Sequence, residues 1–424
     1  MSSRVSVVGL GKLGLPLAAV LAGAGFQVVG VDKSPDVLES VRRCEPLVYE
    51  PGLDNMLHSW KKHLQLSDRA DLAVDQADVT IILVPTPSED SGEFSVKYVL
   101  DVCMELGVGL RRKPGYHLVV VSSTVMPGHC DGPVRAMLEE VSGRQVGPQL
   151  GLCYSPEFVA LGNVVHGMLN PEFCVIGESD KHAGEMLEGV YRQVFGASVP
   201  VMHMNLVNAE IMKVALNSYM VMKIAFANEL AELCEYIPGA NVDVVTEALA
   251  LDGRISGKYF RGATAAAGEC FPRDAQALAS AFASQVGEGI FASAIAKANR
   301  RQQQRLVDFV AGYAGAGDVV GLLGLGFKVG TDVTTESAGM VLGERLDCSV
   351  VAYDPLAQVS YSVGTAQECV DRADIVVITL PDPMYQDVVF CEGQTVIDLW
   401  RLLDRQAVEA MGAEYVGVGL GPVV

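Results

Sequence analysis

Val5-Ser6-Val7-Val8-Gly9-Leu10-Gly11-Lys12-Leu13-Gly14-Leu15-Pro16-Leu17-Ala18-Ala19 is the stretch whose reading decides the fold. Val5 to Val8 reads as a buried strand, and Leu15 to Ala24 reads as a helix. The glycines between them follow the spacing G-x-G-x-x-G. Gly9 permits a tight turn, Gly11 lets the backbone approach a pyrophosphate, and Gly14 lets helix and strand pack closely. The helix N-terminus adds a favourable field for the phosphates. Gln27 to Val31 reads as the second strand and runs into Asp32, 18 residues after Gly14. A carboxylate there accepts hydrogen bonds from a ribose diol and repels a 2′-phosphate, which favours NAD over NADP; the adjacent Lys33 tempers the preference. The glycines alone are a weak signal, but strand, helix and acid together specify a dinucleotide-binding unit.

Outward from this motif, strands and helices alternate. Val79 to Val84, Leu118 to Val121, Gly151 to Tyr154 and Phe173 to Ile176 read as strands, and Tyr98 to Leu110 reads as a helix. That alternation predicts a parallel sheet with helices on both faces. From Asn205 to Glu235 there is no Gly or Pro, and Ala, Met, Leu, Glu and Lys dominate. The spacing predicts one helix of about 45 Å, capped by Asn205 or Asn208, stopped by Pro238-Gly239 and apolar nearly all round. Such a rod suits a domain connector and a dimer spine. Further helices are expected at Val242 to Ala250, Arg273 to Ala283 and Gly289 to Val310. After the loop-like Gly312 to Gly317, a second α/β unit follows, with strands at Val319 to Leu323, Ser349 to Tyr353, Ile375 to Thr379 and Gln394 to Leu399. Its first strand leads into Gly324-Leu325-Gly326-Phe327-Lys328, with no third glycine at the usual offset. A second dinucleotide site is therefore not expected, whereas a phosphate contact by Lys328 is.

The 424 residues carry 31 Lys+Arg against 51 Asp+Glu, a formal charge of −20. Half of them are hydrophobic, which excludes a disordered chain. The acidic balance argues against nucleic acid or an anionic membrane as partner, and no apolar run reaches the roughly 18 residues that span a bilayer. The ten cysteines show no C-x-x-C pair and no metal-ligand spacing with histidine. No metal is expected, and scattered thiols fit a reducing cytoplasm. The glycines at 9, 11 and 14 also break what would otherwise pass for an export signal.

The pieces that carry chemistry are Glu50-Pro51-Gly52-Leu53, Val84-Pro85-Thr86-Pro87, Ser123-Thr124-Val125-Met126-Pro127-Gly128, Pro156-Glu157-Phe158, Lys213 with Asn217, and Gly268-Glu269-Cys270-Phe271-Pro272-Arg273-Asp274. Singly each has a bland reading: a mid-helix lysine usually snorkels, a cysteine after a loop usually packs, and a glutamate after a strand usually caps. Their order is what discriminates. G-x-G-x-x-G, E-P-G-L, V-P-T-P, S-T-V-x-P-G, P-E-F, K-x-x-x-N, C-x-x-x-D and G-x-G-F-K, in that sequence from Val5 to about Asp398, resemble the UDP-glucose/GDP-mannose dehydrogenase family.

The resemblance implies an α/β protein. Residues 1–200 would form a Rossmann-type NAD-binding domain, 201–311 a central helical dimerisation and catalytic region with a long spine helix, and 312–424 a Rossmann-like domain for the nucleotide sugar. It implies a homodimer through the central helix, and a four-electron oxidation of a nucleotide sugar's C6 hydroxymethyl by two NAD, with UDP-glucose as the first substrate to consider. Cys270 matches the nucleophile and Lys213 the lysine that stabilises the oxyanion. Asn217 and Asp274 match groups that position oxyanion and water, and Thr124 and Glu157 match residues of water activation and acid/base work. The cofactor set implied is Gly9, Gly11, Leu13, Gly14, Asp32, Lys33, Pro85, Thr86, Thr124 and Lys328. The substrate set adds Phe158, Arg254, Tyr259, Gly268, Phe327 and Lys328 to Glu157, Lys213 and Asn217, with Arg254 reaching a neighbouring subunit's sugar. Nine cysteines are then packing residues, with Cys270 the reactive one.

Four departures bear on recognition rather than on catalysis. The glycine-rich approach to the cysteine reads Ala265-Ala266-Ala267-Gly268, and Val159-Ala160-Leu161-Gly162 lacks a substrate-binding carboxylate. Thr335-Glu336-Ser337 lacks an arginine, and Lys12 replaces a common aromatic. GDP-mannose, a UDP-N-acetylhexosamine or another nucleotide hexose stay open as substrates. Outside the class stand a two-electron β-hydroxyacid dehydrogenase, which needs neither the cysteine nor the second α/β domain, and a non-catalytic NAD-binding regulator.

Overall fold

The computed structural model describes residues 4–47 and 50–422, and the chain divides into two compact units, Met1–Val214 and Ala215–Val424. In the first, the strands are β1 (Arg4–Val8), β2 (Gln27–Val31), β3 (Leu64–Ser67), β4 (Val79–Ile82), β5 (Leu118–Val121), β6 (Gly151–Tyr154), β7 (Cys174–Glu178) and β8 (Val201–Asn205). They form one sheet in the order β3-β2-β1-β4-β5-β6-β7-β8. The helices are α1 (Gly14–Gly23), α2 (Pro35–Arg43), α3 (Leu53–Trp60), α4 (Ala70–Gln76), α5 (Lys97–Arg112), α6 (Arg135–Ser142), α7 (Val164–Leu169), α8 (Lys181–Phe195) and the start of α9 (Leu206–Glu235).

The strands are almost wholly apolar because both faces of this sheet are covered. Val5 and Val7 of β1 and Leu118 and Val120 of β5 enter one core, and Val8, Val119 and Val121 enter the other. Each such side chain, once fully buried, contributes about 1.5–3 kcal/mol. The sheet is not uniformly parallel: β7 runs antiparallel to β6, and β8 is parallel to β7. The β6–β7 connection carries only the six-residue α7 and returns the chain to the same end of the sheet. The 15-residue α8 then makes a crossover to β8. Asn205 is the cap of α9, its Oδ1 accepting the Asn208 N–H at 3.0 Å. The long helix thus starts where the asparagines suggest and runs unbroken for 30 residues.

The second unit continues α9 and adds α10 (Val242–Ala250), α11 (Phe271–Gln285) and α12 (Ile290–Ala311). Then come β9 (Val319–Leu323), α13 (Ala338–Arg345), β10 (Ser349–Tyr353), α14 (Ala366–Asp371), β11 (Ile375–Ile378), β12 (Thr395–Asp398), α15 (Arg405–Ala410) and β13 (Glu414–Gly417). The five strands are parallel, in the order β10-β9-β11-β12-β13. β9 is the switch point of this sheet, as β1 is of the first.

The glycine turn of the second sheet has no glycine at the usual third offset, but a distant one packs against it. A Cβ on Gly14 would lie 1.8 Å from the Gly9 carbonyl oxygen, and a Cβ on Gly339 would lie 2.1 Å from the Gly324 carbonyl oxygen. Gly339 therefore does for α13 what Gly14 does for α1. The offset is hidden because residues 327–336 are inserted between turn and helix. Among the described residues, no helix is long and apolar enough to cross a membrane, and no group of His, Cys, Asp and Glu could hold a metal ion.

Candidate active site

In the first unit the site gathers at the C-terminal ends of β1, β2, β4, β5 and β6. Gly9 has φ 95°, and any Cβ there would meet the Leu83 carbonyl oxygen at 2.1 Å, whereas a Cβ on Gly11 would meet nothing within 4 Å. The turn is thus tight on its protein side and open on its outer side, the cradle a pyrophosphate needs. Leu13 is the residue just before α1. Asp32 orders the turn itself: its Oδ2 accepts the Leu10 N–H at 2.8 Å and its Oδ1 the Ser34 N–H at 2.9 Å. Each carboxylate oxygen has a second lone pair for a ribose hydroxyl. Lys33 pairs with Glu105 at 2.9 Å, and that hydrogen bond holds its ammonium above the usual lysine range. An exposed, paired lysine here leaves Asp32 as the charge that ends β2.

The loops after β4 and β5 are tied together. The Thr86 hydroxyl donates to the Thr124 carbonyl at 2.7 Å, and Ser123 Oγ both accepts the Val84 N–H at 2.9 Å and donates to the Val84 carbonyl at 2.7 Å. These bonds hold Pro85, Thr86 and Thr124 as one rim. The loop after Thr124 is fastened by Glu210, a fully buried carboxylate of α9 that accepts the Gly128 N–H at 2.6 Å and the Cys130 N–H at 2.7 Å. Burial pushes the Glu210 carboxyl up, and the two backbone donors oppose that. Ser123 belongs to a motif the sequence singled out, but Glu210 did not stand out, since a glutamate in a helix is unremarkable there.

Lys213, buried on α9, donates from Nζ to the Glu157 carbonyl oxygen at 2.7 Å and sits 5.1 Å from the Phe158 ring centroid. Pro156-Glu157-Phe158 and Lys213 are therefore one cluster. Burial pushes the Glu157 carboxyl up to about 7, against the pull of the Lys213 ammonium. A carboxyl that titrates there can exchange protons at neutral pH. If Glu157 activates water as the carboxylate, turnover will rise with pH through an apparent pKa near 7. Glu157→Gln will abolish that limb; a pH–rate profile unchanged in the variant would remove Glu157 from the proton path.

In the second unit, Cys270 is exposed and stands immediately before α11, whose first turn closes with the Asp274 N–H on the Cys270 carbonyl at 2.8 Å. A helix N-terminus favours a thiolate. Asp274, wholly buried, accepts the Asn217 Nδ2–H at 2.6 Å, so the carboxylate one turn after the thiol is held by the α9 amide. Gly268 has φ 83°; a Cβ on it would come within 2.9 Å of the Phe327 ring, and its N–H reaches the Thr335 carbonyl at 2.8 Å. Gly268, Cys270 and the loop 327–335 are thereby joined, and Lys328 is exposed on that loop. The residue lacking the arginine guanidinium, Thr335, contributes its backbone instead.

Arg254 lies apart from these contacts, whereas Tyr259 packs on the first residue of α11. Arg254 is exposed and pairs with Asp252 through Nε at 2.9 Å and Nη2 at 2.6 Å. Tyr259 has φ 58° and meets Phe271 edge-on at 5.5 Å. The cysteine reading changes in one respect. Cys44, Cys103, Cys130, Cys153, Cys174, Cys234 and Cys369 are buried and Cys348 is half-buried, but Cys391 is exposed like Cys270. Cys391 lies in the surface loop before β12, so it is not a packing residue.

Comparison with known proteins gives two matches to family models. Residues 3–195 match the NAD-binding domain of the UDP-glucose/GDP-mannose dehydrogenase family, and residues 207–301 match its central domain. GDP-mannose 6-dehydrogenase of Pseudomonas aeruginosa is 33% identical over 347 residues, 81% of this chain and 78% of the relative. UDP-glucose 6-dehydrogenase AglM of Haloferax volcanii is 32% identical over 361 residues, 84% of each. A solved UDP-glucose dehydrogenase from Pyrobaculum islandicum superposes with a TM-score of 0.86 at 30% identity, covering 98% of both chains.

Proposed function

The chain belongs to the UDP-glucose/GDP-mannose dehydrogenase family, and on that premise we propose that it oxidises the C6 hydroxymethyl of a nucleotide hexose to a carboxylate through a thioester on Cys270. UDP-glucose is the substrate proposed first. GDP-mannose is the second reading, favoured by the relatives that carry that name. The observation that carries the chemistry is the exposed thiol at the start of α11, with Asp274 one turn on and bonded to Asn217 at 2.6 Å.

The NAD-binding domain supplies a two-electron acceptor, which takes a hydride from C6 in each of two oxidations. The protein's own residues do the rest. Lys213 stabilises the alkoxide as the C6 hydroxyl proton leaves. Cys270 adds to the resulting aldehyde: a C–S bond forms and the carbonyl oxygen takes a proton, giving a thiohemiacetal. Loss of the second hydride and of that proton leaves a thioester. Water, activated by Glu157 with Thr124 and positioned by Asn217 and Asp274, attacks the thioester; the C–S bond breaks, the thiolate departs and the acid is released. One hydroxymethyl, two NAD and one water thus yield one carboxylate, two NADH and three protons. Lys328, Arg254, Tyr259, Phe327 and Gly268 are proposed to hold the nucleotide sugar, with Arg254 acting across a dimer.

The dimer reading is supported by α9. Tyr219, Phe226 and Leu233, seven residues apart, are about half exposed, and Phe291 of α12 is 65% exposed. Tyr219, Phe226, Phe291 and Arg254 line one apolar groove of about 560 Å³. An apolar patch of this kind on a soluble chain marks an interaction surface. One experiment tests function and assembly together. The purified protein, expected to sediment at twice the chain mass, is given NAD and a panel of UDP-, GDP- and TDP-hexoses. Two NADH per sugar from one member is the expected result. One NADH per sugar would indicate a two-electron dehydrogenase instead, and none a non-catalytic binder.

A further inference from the structure

The segment from Gly262 to Gly268, which leads to Cys270, has no helical or strand pairing, yet Gly262, Ala263, Ala265, Ala266 and Gly268 are buried. Buried backbone N–H and C=O groups must find partners. Here three side-chain amides provide them. Asn299 of α12 brackets Ala266, its Oδ1 accepting the Ala266 N–H at 2.7 Å and its Nδ2 donating to the Ala266 carbonyl at 2.9 Å. Asn228 of α9 accepts the Ala263 N–H at 2.7 Å and donates to the Thr264 carbonyl at 3.0 Å. Gln302, one turn after Asn299, donates to the Ala263 carbonyl at 2.7 Å. All three amides are 2–3% exposed.

We propose that Asn299, with Asn228 and Gln302, is a positioning residue: the three amides form a buried clamp that registers the cysteine loop against α9 and α12 and so sets where the Cys270 thiol lies. The reasons are geometric. Asn299 pairs with one residue on both its donor and its acceptor, as a neighbouring strand would, and this fixes the loop's translation as well as its distance. Asn228 follows Asn217 by 11 residues, three helical turns, which puts both on the same face of α9. One rigid helix therefore holds the Asp274 carboxylate through Asn217 and the cysteine loop through Asn228. The methyls of Ala265, Ala266 and Ala267 restrict the backbone further, where glycines would let it wander. The clamp acts through Cys270 and touches no reacting atom, and it rests on the role given to Cys270 above.

Full-length Asn299→Ala is compared with wild type in three measurements. The first is the pH profile of iodoacetamide alkylation at the Cys270 peptide, and the second is the melting curve. The third is kcat and KM with whichever panel sugar yields two NADH. A displaced thiol costs about 10- to 100-fold in rate. The expected result is a kcat lowered by that factor, a KM for NAD unchanged and a displaced alkylation profile in a protein that still melts cooperatively. A folded variant with wild-type kcat and alkylation profile would overturn the proposal. Should the variant not fold, hydrogen exchange in wild type decides: Ala263 and Ala266 amides exchanging as slowly as the core of α12 support the clamp, and exchange as fast as at the exposed Ser256–Lys258 loop overturns it. Alkylation and exchange need no sugar, so they separate failure of the clamp from failure of the proposed reaction.

Discussion

Cys270→Ser is expected to lower carboxylate formation by at least about 10³-fold, the scale on which loss of a covalent nucleophile is felt. Serine keeps the size and the place at the start of α11, but its hydroxyl stays protonated where a thiol can ionise. The aldehyde would then persist without covalent capture, and its second oxidation and hydrolysis would lose their handle. On the proposed route the first hydride transfer calls on Lys213 rather than on the thiol. The variant should therefore release one NADH per sugar, with an aldehyde-level product trapped by hydroxylamine. NAD binding should be unaffected, because the glycine turn and Asp32 belong to the first unit. Two NADH per sugar and full acid yield from the variant would refute the thioester route. The buried Cys103, with its thiol pushed up to about 12 by desolvation, is a control: it should resist alkylation in the folded protein while Cys270 and Cys391 react.

Lys213→Met should cost about 10²–10³-fold in kcat, the measured scale for removing one oxyanion donor. Methionine keeps the apolar stem against Phe158 while deleting the ammonium that donates to the Glu157 carbonyl. On the proposed route the alkoxide and the thiohemiacetal oxygen would then form without the ammonium assigned to stabilise them. A second consequence follows from the same contact. Lys213 pulls the Glu157 carboxyl down against the burial that raises it, so deleting the charge should move the acidic limb of the pH–rate profile above its wild-type position near 7. A loss smaller than tenfold, or a limb that does not move, would mean that the charge is not felt at the reacting oxygen or at Glu157.

Several misses between sequence and structure share one cause. The strands β3, β8 and β13 were not expected; they lie at the outer ends of the two sheets, where burial is partial and Leu64–Ser67 or Val201–Asn205 carries little alternation. The antiparallel turn of β7 depends on how far the β6–β7 connection travels, which no residue type encodes. Gly339 escaped notice because its role is defined by an approach to Gly324, and 14 intervening residues conceal that approach. Asp354 shows the same point from the other side. It ends β10 as Asp32 ends β2, but Oδ2 takes the Leu325 and Gly326 N–H groups and Oδ1 those of Leu356 and Ala357. Its oxygens are thus taken up by four backbone N–H groups of its own turn and the following loop.

The sequence by itself determined the local matters: where strands and helices alternate, where glycine is required, where α9 begins, and which short motifs follow one another. These depend on periodicity, capping and backbone sterics over a few residues, and such effects are readable in one dimension. The tertiary structure decided which polar group meets which. Glu210 fastens the loop after Thr124, Lys213 lies on Glu157, Asn217 holds Asp274, and Asn228, Asn299 and Gln302 close on the loop before Cys270. Each of these polar side chains is buried, and its partner is distant in the chain. A buried donor without an acceptor is costly, so the fold must supply one, but only the packing of whole elements determines which.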